Sequence, residues 1–279
     1  HMSEPSRAPS LREVIEVLEA AYPVSTAQSW DQVGLVTGDP EQPVHRIHLA
    51  IDPTLAVIDE ARDAGADLLV THHPLLMRGV NSVAVTSAKG ASVTNLIVAD
   101  IALYVAHTNA DVAAEGVCVA LAEACGLTDL EPLAVVEDQL LGRVGRLPAE
   151  ITLAEFAQAL AGALPSAPVG IRVSGPPEAT VERVAVLGGS GDDLFDALRA
   201  SGADVYVTAD LRHHPALEAR EEARGSAPYL VDAGHWASEA VWLPRVAALL
   251  REELGDRVEV EVSDIVTDPW TFVVGGQRV

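Results

Sequence analysis

The chain has 279 residues, 49% apolar and 21% charged, enough for one large or two smaller folded units with real cores. Forty-one acidic residues against eighteen basic ones give a formal charge of −23. Such a surface repels nucleic-acid phosphates at long range and argues against general DNA or RNA binding.

No apolar run approaches the roughly 18 residues of a membrane span, and no charged-then-apolar leader is present, so the expectation is a cytoplasmic protein with no membrane partner. Aromatic residues make up 4%, so the core is expected to be built from Ala, Val and Leu.

His1-Met2 reads as a cloning scar and the stretch to about Pro9 as a loose tail. Ser10 with Glu13 forms a capping box that opens the first helix. Trp30 and Asp31, ahead of Val33-Gly34-Leu35, either line a cleft or form a packed turn. His45 and His48 flank a strand and carry no signal. The strand Leu68–Val70 leads into His72-His73-Pro74, and the strand Ile101–Val105 into His107 and Asp111. Cys118 and Cys125 lie seven residues apart in a helix that includes Val117–Ala124. Their Cα atoms would be roughly 10 Å apart, too far for a disulfide, so both read as small buried hydrophobes.

A boundary is expected near residue 130, dividing residues 10–130 from 131–279. Beyond it come a strand at Leu141–Leu147, a helix at Thr152–Leu164 capped by Thr152 and Glu155, a strand at Val169–Val173, and a turn at Gly175-Pro176-Pro177. The strand Val184–Leu187 then runs into Gly188-Gly189-Ser190-Gly191, a turn whose amides can cradle a phosphate, although Gly-rich βα turns are common without one.

The second half repeats the first. Ala64-Gly65-Ala66-Asp67-Leu68-Leu69-Val70-Thr71 matches Ser201-Gly202-Ala203-Asp204-Val205-Tyr206-Val207-Thr208, and at the same offset Arg46-Ile47-His48-Leu49 falls on Arg183-Val184-Ala185-Val186. Gly65 and Gly202 stand where the residue after a helix wants positive φ. Thr208-Ala209-Asp210 takes the place of Thr71-His72-His73, so Thr208 and Asp210 either face the same cleft or, for Asp210, cap the next helix. His213 and His214 lie on that helix. With a slightly different offset, His107 to Asp111 matches His235 to Glu239, each a His with an acid four positions on. The expectation is an α/β fold of two similar halves, with mixed sheets flanked by helices and a C-terminal strand that can return to the first half.

The histidines and acids follow strands at the edge where open α/β sheets gather ligands. His72-His73 alone could be a hydrogen-bonded pair, and His235 with Glu239 a plain i,i+4 helix contact. Three such clusters together favour a metal site. Imidazole with carboxylate and no Cys ligand suits Zn, Mn, Fe, Co or Ni in an open site rather than a closed structural zinc. His72, His73, Asp111, His235 and Glu239 exceed what one open metal takes, so two ions are expected, with Glu239 as the bridge. His107 or Asp210 could carry a proton. Trp30, Asp31, Gly189, Thr208 and His214 are the candidate substrate contacts.

Trp30-Asp31-Gln32-Val33-Gly34-Leu35, Thr71-His72-His73-Pro74, His107-Thr108-Asn109-Ala110-Asp111, Thr208-Ala209-Asp210 with His213-His214, and Gly234-His235 with Ser238-Glu239 resemble the successive motifs of the Nif-three-like dinuclear-metal family. Its bacterial members are often labelled GTP cyclohydrolase type-two homologues. Gln32 stands where Asn is usual, and Ala209 where Gly is usual. The resemblance implies two interlinked α/β domains and a toroidal homohexamer with dinuclear centres facing an inner cavity. It also implies the same five metal ligands, with His107 beside them. Two functions follow as expectations: a metal-dependent hydrolase of a nucleotide or another small phosphorylated or cyclic compound, or a metal-binding hexameric scaffold that catalyses nothing.

Overall fold

The computed structural model describes residues 7–276. The expected cloning scar and the first part of the expected tail lie outside the described residues. Pro9 is already buried and accepts the Val44 N–H at 2.9 Å, and Ser10 bridges Pro43, so ordered chain precedes the first helix. The Ser10–Glu13 capping box is present at α1 (Leu11–Ala21), whose Leu11, Val14 and Leu18 form one buried stripe.

Contacts divide the chain into one unit of residues up to Ala110 with Leu243–Thr267, and another of Asp111–Trp242 with the segment from Asp268 onward. The division differs from the one expected near residue 130. The cause is α5 (Val117–Ala124): Leu121, Ala122 and the following Cys125 and Leu127 belong to the second unit's core.

The first unit holds a five-stranded sheet in the order β1-β4-β3-β2-β11. The strands β2 (Arg46–Ala50), β3 (Leu68–Thr71), β4 (Ala102–Val105) and β11 (Glu259–Val262) are parallel, and β1 (Gly34–Thr37) runs antiparallel to β4 on the edge. Leu69, Leu103 and Val105 face Val57, Ile58 and Ala61 of α2 (Leu55–Asp63) and Val93 and Leu96 of α3 (Ala88–Val98). The alternate strand residues Leu68, Val70 and Tyr104 are buried too, the two-sided burial that makes parallel strands read as continuous apolar runs. Through β11 and the helix before it, α10 (Leu243–Leu254), the C-terminal part returns to this sheet.

The second unit is a six-stranded sheet, β5-β6-β8-β9-β10-β7. Here β8 (Thr180–Ser190), β9 (Val205–Ala209) and β10 (Tyr229–Asp232) are parallel. β5 (Thr128–Val136) and β6 (Gln139–Thr152) form an antiparallel hairpin on one side, and β7 (Arg172–Ser174) is an antiparallel edge on the other. Val184, Val186, Val205 and Val207 pack with α6 (Leu153–Ala163). Ala185, Leu187 and Tyr206 pack with α7 (Phe195–Ser201) and with Ala219 of α8 (His213–Ala223). Period-two alternation thus feeds two faces of one sheet. Cys118 lies in one cluster and Cys125 in the other, both buried and unbridged. The α/β expectation of two mixed sheets flanked by helices holds, with one amendment. Trp242, Tyr22, Tyr104, Tyr206 and Phe156 are among the largest fully buried side chains, so the few aromatics do anchor the core.

The repeat is visible in hydrogen bonds. Asp67 Oδ2 accepts the amides of His45 (2.7 Å) and Arg46 (3.1 Å), while its own N–H donates to Arg46 O at 2.9 Å. Asp204 does the same with Glu182 and Arg183 (2.9 Å each), its N–H donating to Arg183 O at 2.8 Å. Gly65 (φ 72°) and Gly202 (φ 69°) both take positive φ, so each Gly-Ala-Asp ends a helix and clamps the start of the neighbouring strand. The third strands also correspond: Ala106 donates to Thr71 O and Ala233 to Thr208 O. That register pairs His107 with Gly234, so the matched His/acid motifs are one residue out of step.

Candidate metal centre

His72 and His73 follow β3 in a turn closed by Thr71 Oγ1 donating to His73 O at 2.8 Å. His72 is buried, with Nδ1 2.9 Å from Ala106 O. His73 Nδ1 lies 2.6 Å from Asp52 Oδ1. His107 follows β4, its Nδ1 3.0 Å from Asp31 Oδ1, and Asp31 Oδ2 accepts both the N–H (3.0 Å) and the hydroxyl (2.6 Å) of Thr108. Asp31 therefore caps the short α4 (Thr108–Val112) and orients His107 together. The three rings are 5.0–5.5 Å apart by centroid, and a ligand nitrogen from each lies within 4.8 Å of the others.

Carbonyls and carboxylates only accept, so each of these imidazoles has its proton on Nδ1, and the neutral ring then keeps its lone pair on Nε2. Metal-ligating histidines are held this way by their outer partners. Burial raises the Asp31 carboxyl pKa, but the hydrogen bonds from His107 and Thr108 outweigh it and leave the group below the usual carboxylate range.

The second unit presents a matching arrangement. His235 opens α9 (His235–Ala240), with Nδ1 2.7 Å from Asp210 Oδ2 and Nε2 2.8 Å from Glu239 Oε1. A bare imidazole nitrogen and a carboxylate oxygen at that distance repel unless a proton or a cation lies with them. The Gly-rich stretch explains itself here. Gly189 has φ +75°, and a Cβ on it would lie 3.0 Å from Glu239 Oε2 and 3.1 Å from His235 Nε2. The missing side chain leaves space beside these atoms, as a metal ion held by them would require. A Cβ on Gly191 would come within 2.1 Å of Thr208 Oγ1.

Of the amides in this turn that could cradle a phosphate, two have partners within the protein: Gly189 N–H donates to Ser238 Oγ at 2.9 Å and Gly191 N–H to Ala209 O at 3.1 Å. Thr208, buried, donates its hydroxyl to Gly189 O at 2.9 Å, which makes it a support for the glycine turn rather than a surface group. Asp210 does not cap the next helix, where Arg212 is the N-cap and no side chain caps it; the carboxylate holds His235 instead.

Asp111 lies on α4 and acts on Cys118: burial first, then the Asp111 charge, pushes that thiol up to about 12. Trp30 is 53% exposed, its Nε1–H donating to Gln28 Oε1 at 2.8 Å and its ring edge-on to His107 with centroids 5.9 Å apart. His214 is exposed on α8. His48, which carried no signal, is buried against Glu60 at 2.5 Å. Asp52 was not anticipated, and Ser238 was read only as part of a motif, with no role of its own. Asp52 had a usable signal, since it follows β2 at the edge where His72 follows β3. The donors fit divalent transition metals: imidazoles oriented through Nδ1, and a buried carboxylate beside a side-chain-free gap.

The Duf34/NIF3 (NGG1p interacting factor 3) family model matches residues 9–269. The chain is 51% identical over 274 residues to the GTP cyclohydrolase 1 type 2 homolog of Streptomyces coelicolor, covering 94% of each. It is 35% identical, over an alignment 371 positions long, to the protein of the same name from Mycobacterium tuberculosis, covering 94% of this chain and 97% of that one. Among solved structures it is similar to a Bacillus cereus protein related to NIF3, with TM-score 0.87, 27% identity and coverage of 96% and 100%. It is also similar to reduced HcgD from Methanocaldococcus jannaschii, with TM-score 0.78, 31% identity and coverage of 92% and 98%.

Proposed function

The chain belongs to the Duf34/NIF3 family, and from that footing we propose that it is a metal-dependent hydrolase of a nucleotide or another small phosphorylated or cyclic compound. His72, His73, Asp111, His235 and Glu239 would hold two divalent ions of the Zn, Mn, Fe, Co or Ni type. One observation carries the reading: His72, His73 and His235 each have Nδ1 taken by an acceptor, which leaves Nε2 as the ligand atom. The side chains of His73 and His235 keep 20% and 31% exposure, which suits an open site rather than a closed structural one.

Bound there, divalent ions would supply an acidified water and stabilisation of negative charge on a substrate oxygen. His107 is the proton carrier in this reading, acting at the Nε2 that Asp31 keeps unprotonated in the neutral ring. Trp30 offers an exposed flat surface beside it, suited to a nucleobase. Asp210 orients His235, and Gly189 gives the ligand atoms room. Ring opening of GTP is the version that the relatives' name supplies.

The test is turnover over a panel of nucleotides, cyclic nucleotides and phosphodiesters with Mn, Zn, Fe or Co. A rate above blank that disappears in Glu239→Ala supports the reading; no rate, or one indifferent to that change, defeats it.

A second reading, a non-catalytic metal-binding scaffold that assembles as a hexamer, is favoured by a different observation. Trp270, Phe272, Val273 and Val274 in the C-terminal segment are 66%, 77%, 53% and 84% exposed, an apolar run of the kind that marks interaction sites. It predicts assembly that depends on metal. Assembly unchanged by chelation, with hydrolysis lost, would exclude it.

A further inference from the structure

Past the end of β2, Asp52 divides its carboxylate between two donors. Oδ1 accepts His73 Nδ1–H at 2.6 Å, and Oδ2 accepts the Thr267 hydroxyl at 2.5 Å. Thr267 comes 215 residues later in the chain, in the stretch that follows β11. That stretch is fastened to the first unit along its length. Ser263 N–H donates to Leu49 O at 2.8 Å, the Ser263 side chain and the Asp264 backbone bond Glu60, and Ile265 packs against the cluster containing Ala50, Val57, Leu69 and Val105. The Thr267 hydroxyl is the last anchor of a fixed segment, not the tip of a loose one.

The Cβ–Cγ torsion of an aspartate has a broad profile. One hydrogen bond to one oxygen leaves the carboxylate free to swing, and a second donor on the other oxygen fixes its plane. We infer that Thr267 is a positioning residue for the metal site: through Asp52 it holds the His73 imidazole with Nδ1 protonated and Nε2 as the ligand atom. Residues 263–267 are then a structural part of the centre, although none of them is a ligand. The inference rests on the proposed reading of His73 as a ligand. The sequence gap explains why no motif reveals it, and the partner to the ligand sits on a segment that the fold alone brings back.

Thr267→Val keeps the side-chain volume and removes the hydroxyl, Thr267→Ser restores it, and Asp52→Ala removes the intermediate. Two measurements on the full chain separate positioning from general stability. Zinc affinity is read by competition with a chromophoric chelator, and the His73 tautomer by imidazole ¹H–¹⁵N spectra of the metal-free protein. Thr267→Val and Asp52→Ala are expected to weaken one zinc by about 10- to 100-fold, the usual range for outer-shell changes, and to mix the two His73 tautomers. Thr267→Ser is expected to keep the wild-type affinity and spectrum. Wild-type affinity with an unmixed tautomer in Thr267→Val overturns this inference alone. A wild-type chain that takes up no zinc overturns the proposed function and this inference with it.

Discussion

Gly189 offers a perturbation whose size can be worked from the structure. Gly189→Ala does two things. It places a side chain at φ +75°, a left-handed conformation that costs an L-residue roughly 1–2 kcal/mol. It also sets a methyl group 3.0 Å from Glu239 Oε2 and 3.1 Å from His235 Nε2, so both side chains must yield by a few tenths of an ångström. Glu239 is buried and has little room to move.

Gly202→Ala separates the two effects. Gly202 has φ +69°, and no atom lies within 4 Å of its would-be Cβ, so it carries the backbone penalty and no crowding. With metal removed by chelator, both variants should melt lower than wild type by roughly 2–8 °C, taking about 2–4 °C per kcal/mol. On adding zinc, wild type and Gly202→Ala should gain stability together through linkage. Gly189→Ala should gain less, with an affinity roughly tenfold weaker, about 1.4 kcal/mol. The assay is thermal unfolding followed through a zinc titration. Equal zinc stabilisation of the two variants would refute the claim that the absent Gly189 side chain makes room at the ligand atoms.

Glu60 gives a pH test. Burial raises its pKa, but the bonds from Ser263 and His48 outweigh that and leave it below the ordinary 4.5. A lowered carboxyl contributes stability above its unfolded value and loses it as pH falls. Glu60→Gln should therefore cost about 1–2 kcal/mol near neutrality, with the gap to wild type closing as pH drops below 4.5, as urea titrations would read. Asp31→Ala leaves His107 Nδ1, Thr108 N and Thr108 Oγ1 without their acceptor. The expected loss is roughly 1–3 kcal/mol in urea unfolding, and an unchanged midpoint would show that water replaces the carboxylate fully. Both cysteines are buried and burial raises both thiols, Cys118 to about 12. Neither should react with a disulfide reagent in native protein at mildly alkaline pH, and both should react after guanidinium unfolding.

Much of the fold was legible because the repeat is written in residues with a backbone task. Gly-Ala-Asp recurs since each copy needs a positive-φ helix end and a carboxylate that clamps the next strand's amides. The hairpin of β5 and β6 went unread. Its turn residues Glu137 and Asp138 have φ of 49° and 65° without the glycine that usually signals such a turn, and Pro132 sits in β5 as only an edge strand allows. Histidines stood out because the chain has nine and four of them follow strands. Their carboxylate pairings were harder to read among forty-one acids: Asp31 and Asp210 were singled out for other tasks, a substrate contact and a proton carrier or helix cap, and Asp52 was not singled out at all. Asp52, Asp31 and Asp210 lie 21, 76 and 25 residues from the histidines they orient, and no spacing rule links residues that meet only at a sheet edge. Gly189 was singled out for its amide, and what matters there is the side chain it lacks.

Elemental analysis of the purified chain, saturated with zinc or manganese and then desalted, bears most directly on the oriented imidazoles and their carboxylates. The expected result is two transition-metal ions per chain, falling in both His73→Ala and Glu239→Ala. A wild-type chain that retains no transition metal would contradict it, and so would the same content in both variants.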